Sequence, residues 1–212
     1  MNITEHINKK FLVNPNKDVP PYVGRLKNTD RNNIYELFAE LGYTHGAEIG
    51  VSRAINAVEM FKRIPDLKLI LVDPWIPYTR SMTVKRANRH YQIAKEKMKS
   101  RNAVIMQMTS MEAVKQIKDS SLDFIYIDGL HNFDNVMLDL IHWSPKVKTN
   151  GIISGHDYCL NAGTGVFKAV SAYASGHGVY NIYMTKESPQ SFFWVKNKKA
   201  DASNRLKNLK QI

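Results

Sequence analysis

The sequence predicts an α/β fold: an open, mostly parallel sheet with helices packed on both faces. Three observations carry that expectation. Apolar segments of strand length alternate with helical segments five times along the chain, and such alternation builds a parallel sheet. Two of these strands, LKLILVD (Leu67–Asp73) and LDFIYID (Leu122–Asp128), are apolar nearly throughout, as strands buried on both faces are. The last two strands are joined by a short turn at Glu187–Pro189, so they must pair antiparallel.

Taken in order, residues 1–30 are polar and weakly periodic, and read as an arm or lid rather than core. Asn28-Thr29-Asp30 offers N-cap chemistry for a helix over 31–41, with Ile34, Leu37, Phe38 and Leu41 on one face. Gly42 ends it. A strand over 46–50 leads into a helix over 53–64, stopped before Pro65. The strand at 67–73 gives way to a loop over 74–82, then to a basic helix reaching residue 99. Strands follow over 103–108, 122–128 and 151–155, with helices over 110–118, 133–143 and 164–174. Strands over 179–184 and 191–196 close the pattern. Residues 31–197 therefore form one domain, followed by a basic tail over 198–212.

At 212 residues, a chain buries roughly 70% of its unfolded surface without staples. Cys159 is the single cysteine, which excludes a disulfide framework and a Cys-rich zinc site. It fits a reducing, cytoplasmic setting. The opening MNITEHINKKFLVNP has no apolar core of signal-peptide length. No run approaches the ~18 apolar residues of a membrane span, so no membrane partner is expected. Net charge is +11, from 30 basic and 19 acidic residues. Eight bases face one acid, Glu96, between Arg80 and Arg101. Six face Asp201 between Lys196 and Lys210. Such stripes attract polyanions, but a lysine-rich surface explains them as well. With no nucleic-acid motif in the chain, nucleic acid is the less favoured partner.

The chemistry concentrates in short motifs at strand ends. AEIGVSRA (Ala47–Ala54) reads as a strand, an acid, a glycine turn and a helix start, and LVDPW (Leu71–Trp75) as a second strand ending in an acid. Ligands in open α/β sheets sit at such carboxyl ends. The turn holds one glycine, Gly50, where a dinucleotide fingerprint needs three, which argues against NAD or FAD. A ligand with ribose and a charged amino-acid end, but no phosphate, suits it better. S-adenosylmethionine is such a ligand. A phosphate loop, a His-Glu-x-x-His pair, a Gly-x-Ser-x-Gly elbow and an Asn/Asp-Pro-Pro-Tyr signature are all absent.

The segment DFIYIDGLHNFDNVMLDLIHWSPKVKTNGIISGHDY (Asp123–Tyr158) resembles the class I S-adenosylmethionine-dependent methyltransferases. It looks most like their small O-methyltransferase branch, whose fourth strand ends Ile-Asp-Gly-x-His and whose fifth ends His-Asp. That branch includes macrocin-type and cephalosporin-hydroxylase-type enzymes and is a cousin of the catechol O-methyltransferases. The resemblance covers about residues 32–196. It implies a Rossmann-like sheet of seven strands in the order 3-2-1-4-5-7-6, with the last strand antiparallel.

It also implies roles. Glu48 would meet the ligand's ammonium group, beside the close turn at Gly50. The amides of Val51, Ser52 and Arg53 would point at its carboxylate. Asp73 would grip the ribose, with Trp75 either against the ligand or packed locally. Thr109 and Ser110 would reach the adenine, Ser110 serving equally as a helix N-cap. Asp128 and Asp157 would emerge from neighbouring strands about 5 Å apart, where two carboxylates share a proton or bind a cation. Oxygen ligands select a hard ion such as Mg²⁺, and Asp128, His156 and Asp157 form the expected metal set. His131 stands where a general base for a hydroxyl would be needed, with Asp128 beside it. Tyr158, Asn161 and Thr164 are taken as acceptor contacts.

The resulting expectation is methyl transfer to a hydroxyl of a sugar or small natural product, with the acceptor a small molecule or glycan. The rivals are an RNA or DNA methyltransferase using the basic stripe, and a non-catalytic module that only binds S-adenosylmethionine. Oligomeric state is left open.

Overall fold

The structure is a computed structural model that describes residues 2–13, 22–79, 81–159 and 164–197. Arg80, Asn161 and the basic tail over 198–212 lie outside the described residues. Among the described residues, eight strands form one sheet: β1 (Tyr22–Arg25), β2 (His45–Ile49), β3 (Lys68–Val72), β4 (Ala103–Met106), β5 (Leu122–Ile127), β6 (Val147–Gly155), β7 (Asn181–Met184) and β8 (Phe192–Val195). Their order is β1-β7-β8-β6-β5-β2-β3-β4. Neighbours are parallel except β8, which runs antiparallel to β6 and β7. The seven expected strands keep the expected order, and β1 is an eighth, added at the edge beside β7.

Among the described residues, seven α-helices cover the sheet: α1 (Ile3–Lys10), α2 (Arg31–Glu40), α3 (Ile55–Arg63), α4 (Val84–Met98), α5 (Ser110–Ala113), α6 (Phe133–Trp143) and α7 (Gly165–His177). The two-residue period of a strand divides the core into two layers. Ile125 and Ile127 of β5 pack with Leu140 and Trp143 of α6 and Val170 of α7. Phe124 and Tyr126 point the other way, onto Phe38 of α2, Met60 of α3 and Ile7 of α1.

The stretch expected to be an arm supplies both α1 and β1. Ile7 and Leu26 are buried, Phe11 meets the Phe193 ring edge-on, and the Tyr183 hydroxyl donates to Asn8 at 2.8 Å. Ile3, Ile7 and Phe11 lie along one stripe of α1, but three apolar positions in a polar segment make a faint period. Two helix boundaries also differ. α3 starts at Ile55, because Ser52 and Ala54 adopt φ of 50° and 52°, outside helical geometry. The helix expected over 110–118 is the short α5, followed by a 3-10 turn over Val114–Gln116. No helix among the described residues is long and apolar enough to cross a membrane.

Candidate active site

The carboxyl ends of β2, β3 and β5 open onto a cleft of about 990 Å³. At the end of β2, Glu48 is buried at 1% exposure. Asn56 of α3 donates to its Oε1 at 3.0 Å, and the Tyr35 hydroxyl of α2 donates to Asn56. The other oxygen, Oε2, is buried without a hydrogen-bond partner. Burial, with Asp128 and Asp73 nearby, pushes the Glu48 carboxyl up to about 8.

The turn after β2 is held by two constraints. Gly50 has φ of +90°, and a Cβ there would stand 2.1 Å from the Asp128 carbonyl oxygen. Only glycine fits so close a crossing of two backbones. Asp73, just past β3, clamps the same turn: Oδ2 accepts from the amides of Val51 (3.0 Å) and Ser52 (2.8 Å), and Oδ1 from that of Trp75 (2.7 Å). Two of the three amides expected to point at a ligand carboxylate are therefore already satisfied. A carboxylate accepts about four hydrogen bonds, so Asp73 keeps capacity for a ribose hydroxyl. The Trp75 indole donates to the Ser52 carbonyl at 2.7 Å and packs on Tyr91, while the residue still lines the cleft. Arg53 lines the cleft and is exposed.

Beyond β4, Thr109 rather than Ser110 caps α5, in a reciprocal box with Glu112. The Ser110 hydroxyl donates to Asp139 of α6 and accepts from the Trp143 indole at 2.7 Å. Its single proton is spent, so it has none to offer a ligand. Asp139 is buried at 5% exposure and pushed up to about 6 by desolvation.

Asp128 after β5, His131, and Asp157 after β6 form the second cluster. His131 Nε2 lies 3.4 Å from Asp128 Oδ1 and 3.3 Å from Asp157 Oδ2. One ligand atom from each residue falls within 4.8 Å of the others. The bond from Asp128 and the charge of Asp157 hold the His131 imidazole above its ordinary range, against desolvation. His156 and His131 hold the Asp157 carboxyl below its ordinary range. Asp157 adopts φ of +58°, a strained conformation that aspartate tolerates better than most residues.

His156, expected as the third metal ligand, is engaged elsewhere. Its Nε2 meets the Arg31 guanidinium and its Nδ1 meets Asp157 Oδ2 at 3.0 Å. A guanidinium only donates, so Nε2 is the acceptor and Nδ1 carries the proton toward Asp157. No lone pair is left for a metal. His131 takes its place beside the two acids. Tyr158 is buried and Thr164 caps α7.

Several residues of the site were not anticipated: Arg31, Tyr35, Asn56, Asp139 and His90, which bonds Ser52 Oγ at 3.1 Å. For Arg31, Tyr35 and Asn56 no motif exists, since each acts across elements distant in sequence. Asp139 did carry a signal: it is an acid on the buried stripe of α6 beside Val136, Leu140 and Trp143.

A cleft at the carboxyl ends of a sheet ordered β4-β3-β2-β5-β6-β8-β7, with an acid after each of β3 and β5, defines the Rossmann-like class I methyltransferases. Residues 39–158, more than half of the chain, match the family described as a methyltransferase domain. The chain belongs to that family. It is similar to the uncharacterized protein y4gI of Sinorhizobium fredii, at 31% identity over 68 residues. That match takes in 32% of this chain and 8% of the relative, so the chain spans a small part of that protein's length. Among solved structures, an O-methyltransferase from Bacillus cereus in complex with SAH aligns over 92% of this chain and 90% of its own, with a TM-score of 0.58 and 14% identity. A putative O-methyltransferase from Klebsiella pneumoniae aligns over the same shares at TM-score 0.57 and 14% identity. A putative caffeoyl-CoA O-methyltransferase from Staphylococcus aureus covers 93% of both chains at TM-score 0.58 and 13% identity. At such identities the likeness is one of fold.

Proposed function

We propose that this chain moves a methyl group from S-adenosylmethionine to a hydroxyl of a sugar or small natural product, with a divalent cation between Asp128 and Asp157. The observation that carries the reading is the convergence of Asp128, His131 and Asp157 beside the cleft, with ligand atoms within 4.8 Å. The two carboxylates are hard oxygen donors, as Mg²⁺ with additional waters requires. The O-methyltransferases of the same fold support the choice of oxygen as acceptor.

The cofactor fits the residues present. Glu48 Oε2, buried and unpartnered, suits an ammonium group. Asp73 faces the cleft with capacity for a hydroxyl, while Gly50 lets the turn lie close. When bound, the cofactor supplies a methyl group on a positively charged sulfur. The chain's work is then to hold the acceptor oxygen in line and remove its proton. His131, between two carboxylates, accepts that proton in the metal-free reading. Asp128 and Asp157 would hold Mg²⁺, which would supply a Lewis acid that lowers the pKa of a hydroxyl.

The test is thermal unfolding with S-adenosylhomocysteine, then an acceptor screen with and without Mg²⁺. Ligand at 100 times its dissociation constant stabilises the fold by about 2.7 kcal/mol. No midpoint rise up to millimolar ligand would sink the reading.

A second reading keeps the reaction and changes the acceptor to nucleic acid. It rests on Lys85, Arg86, Arg89 and Lys99, which make no ion pair among the described residues. Binding that falls steeply with salt would favour it.

A further inference from the structure

We infer that Asp139 is the residue that reads the cofactor's purine, accepting a hydrogen bond from the exocyclic amino group of adenine. The inference rests on S-adenosylmethionine as cofactor and adds a specificity-determining residue to its site. With the ammonium assigned to Glu48 and the ribose to Asp73, the remaining wall of the cleft is built by α5 and the first two turns of α6. Met111, Leu130 and Leu138 make that wall apolar, as a flat ring requires.

Of the polar side chains at this end, Ser110 and Asp139 are joined to each other, whereas Thr109 is boxed with Glu112 and Asn135 bonds Asn132. Ser110 spends its only proton on Asp139 Oδ1 and accepts from the Trp143 indole at 2.7 Å with one of its two lone pairs. Asp139 Oδ2 remains, lying 3.7 Å from where a Cβ on Gly129 would stand. No donor among the described residues bonds it, and Asp139 lines the cleft, so this is the oxygen a ligand can reach. At 5% exposure the carboxylate is almost wholly covered by protein, so the few directions from which Oδ2 can accept a hydrogen bond open on the cleft. An N–H donor arriving from the cleft meets an ionised acceptor held in place by the Ser110 bond.

The chemistry is selective. An ionised carboxylate only accepts. The 6-amino group of adenine donates, whereas the 6-oxo group of hypoxanthine presents a second acceptor and repels it. Asp139 is pushed up only to about 6 and so is largely ionised at neutral pH. Sequence position hides this role, because the residue lies in mid-helix rather than at a strand end.

The test is calorimetric titration of the full chain at pH 7.5 with S-adenosylhomocysteine and with S-inosylhomocysteine. The wild-type chain should prefer the adenosyl compound by roughly 10- to 100-fold. Asp139→Asn, whose amide donates as well as accepts, should erase or invert that preference. Equal affinities in the wild-type chain would overturn the inference, even if the variant failed to fold. So would an Asp139→Asn chain that kept the wild-type ratio, the result expected if Asp139 only braces Ser110 and Trp143. Binding of neither compound would instead overturn the cofactor assignment, and the inference with it.

Discussion

Glu48 carries the largest resolved upward shift among the acids of the cleft, and its charge state links stability to ligand binding. Its carboxyl moves from 4.5 to about 8 on burial. An acid raised by folding adds nothing unfavourable below its unfolded value, and costs stability as pH rises toward its folded value. Glu48→Gln should therefore melt higher than wild type at pH 8.5, with the difference vanishing by pH 4.5, as read by thermal scans across pH. An ammonium beside Oε2 would drive the proton off. Binding of S-adenosylhomocysteine at pH 7 should then release close to one proton in wild type and none in Glu48→Gln. Calorimetry in buffers of different ionisation enthalpy measures this, and a proton count of zero in wild type would remove Glu48 from the ammonium site. His131 shifts in the opposite sense of charge. Its imidazole is raised from 6.5, first by its bond to Asp128, so that contribution to stability is complete below pH 6.5 and is lost as pH rises through the raised value. In metal-free protein, NMR titration of His131 should give a value above 6.5 that falls in Asp128→Asn.

Among the elements, the turn between β2 and α3 decides whether the cleft exists. Two backbones cross at Gly50, and one carboxylate, Asp73, ties three amides across it. Gly50→Ala places a Cβ 2.1 Å from a backbone oxygen at φ of +90°. Neither atom belongs to a side chain that could swing away. The expected loss is at least about 3 kcal/mol in urea unfolding. Asp73→Asn keeps the shape but exchanges one acceptor for a donor that faces amides. It should cost about 1–3 kcal/mol and weaken S-adenosylhomocysteine binding in the same preparation. A variant with native stability and native affinity would show that the clamp is dispensable.

At the scale of the whole molecule, the described residues before α2, 2–13 and 22–30, pack on the domain. α1 covers the same face as α2 and α3, and β1 extends the sheet beyond β7. Ile7 is fully buried, so Ile7→Ala should cost about 2–5 kcal/mol. The loss should appear as a lower midpoint of one cooperative transition. An early, separate transition would mean that α1 only rests on the domain.

The strands were legible in the sequence because burial on both faces leaves an apolar run that composition alone displays, as in Leu67–Asp73 and Leu122–Asp128. Glu48, Gly50, Asp73, Asp128 and Asp157 were legible for a related reason: a parallel sheet delivers strand ends to one edge, so position along the strand predicts position in space. β1 was hidden because an edge strand of four residues, in a polar stretch, has no run to display. The partners of the site residues were hidden too. Whether Ser110 offers its proton to a ligand or to Asp139, and whether His156 offers a lone pair to a metal or to Arg31, depends on distances between α5 and α6 and between α2 and β6. A sequence states which donors and acceptors exist. Only the packed tertiary structure decides how they pair, because a hydrogen bond forms or fails within a few tenths of an ångström.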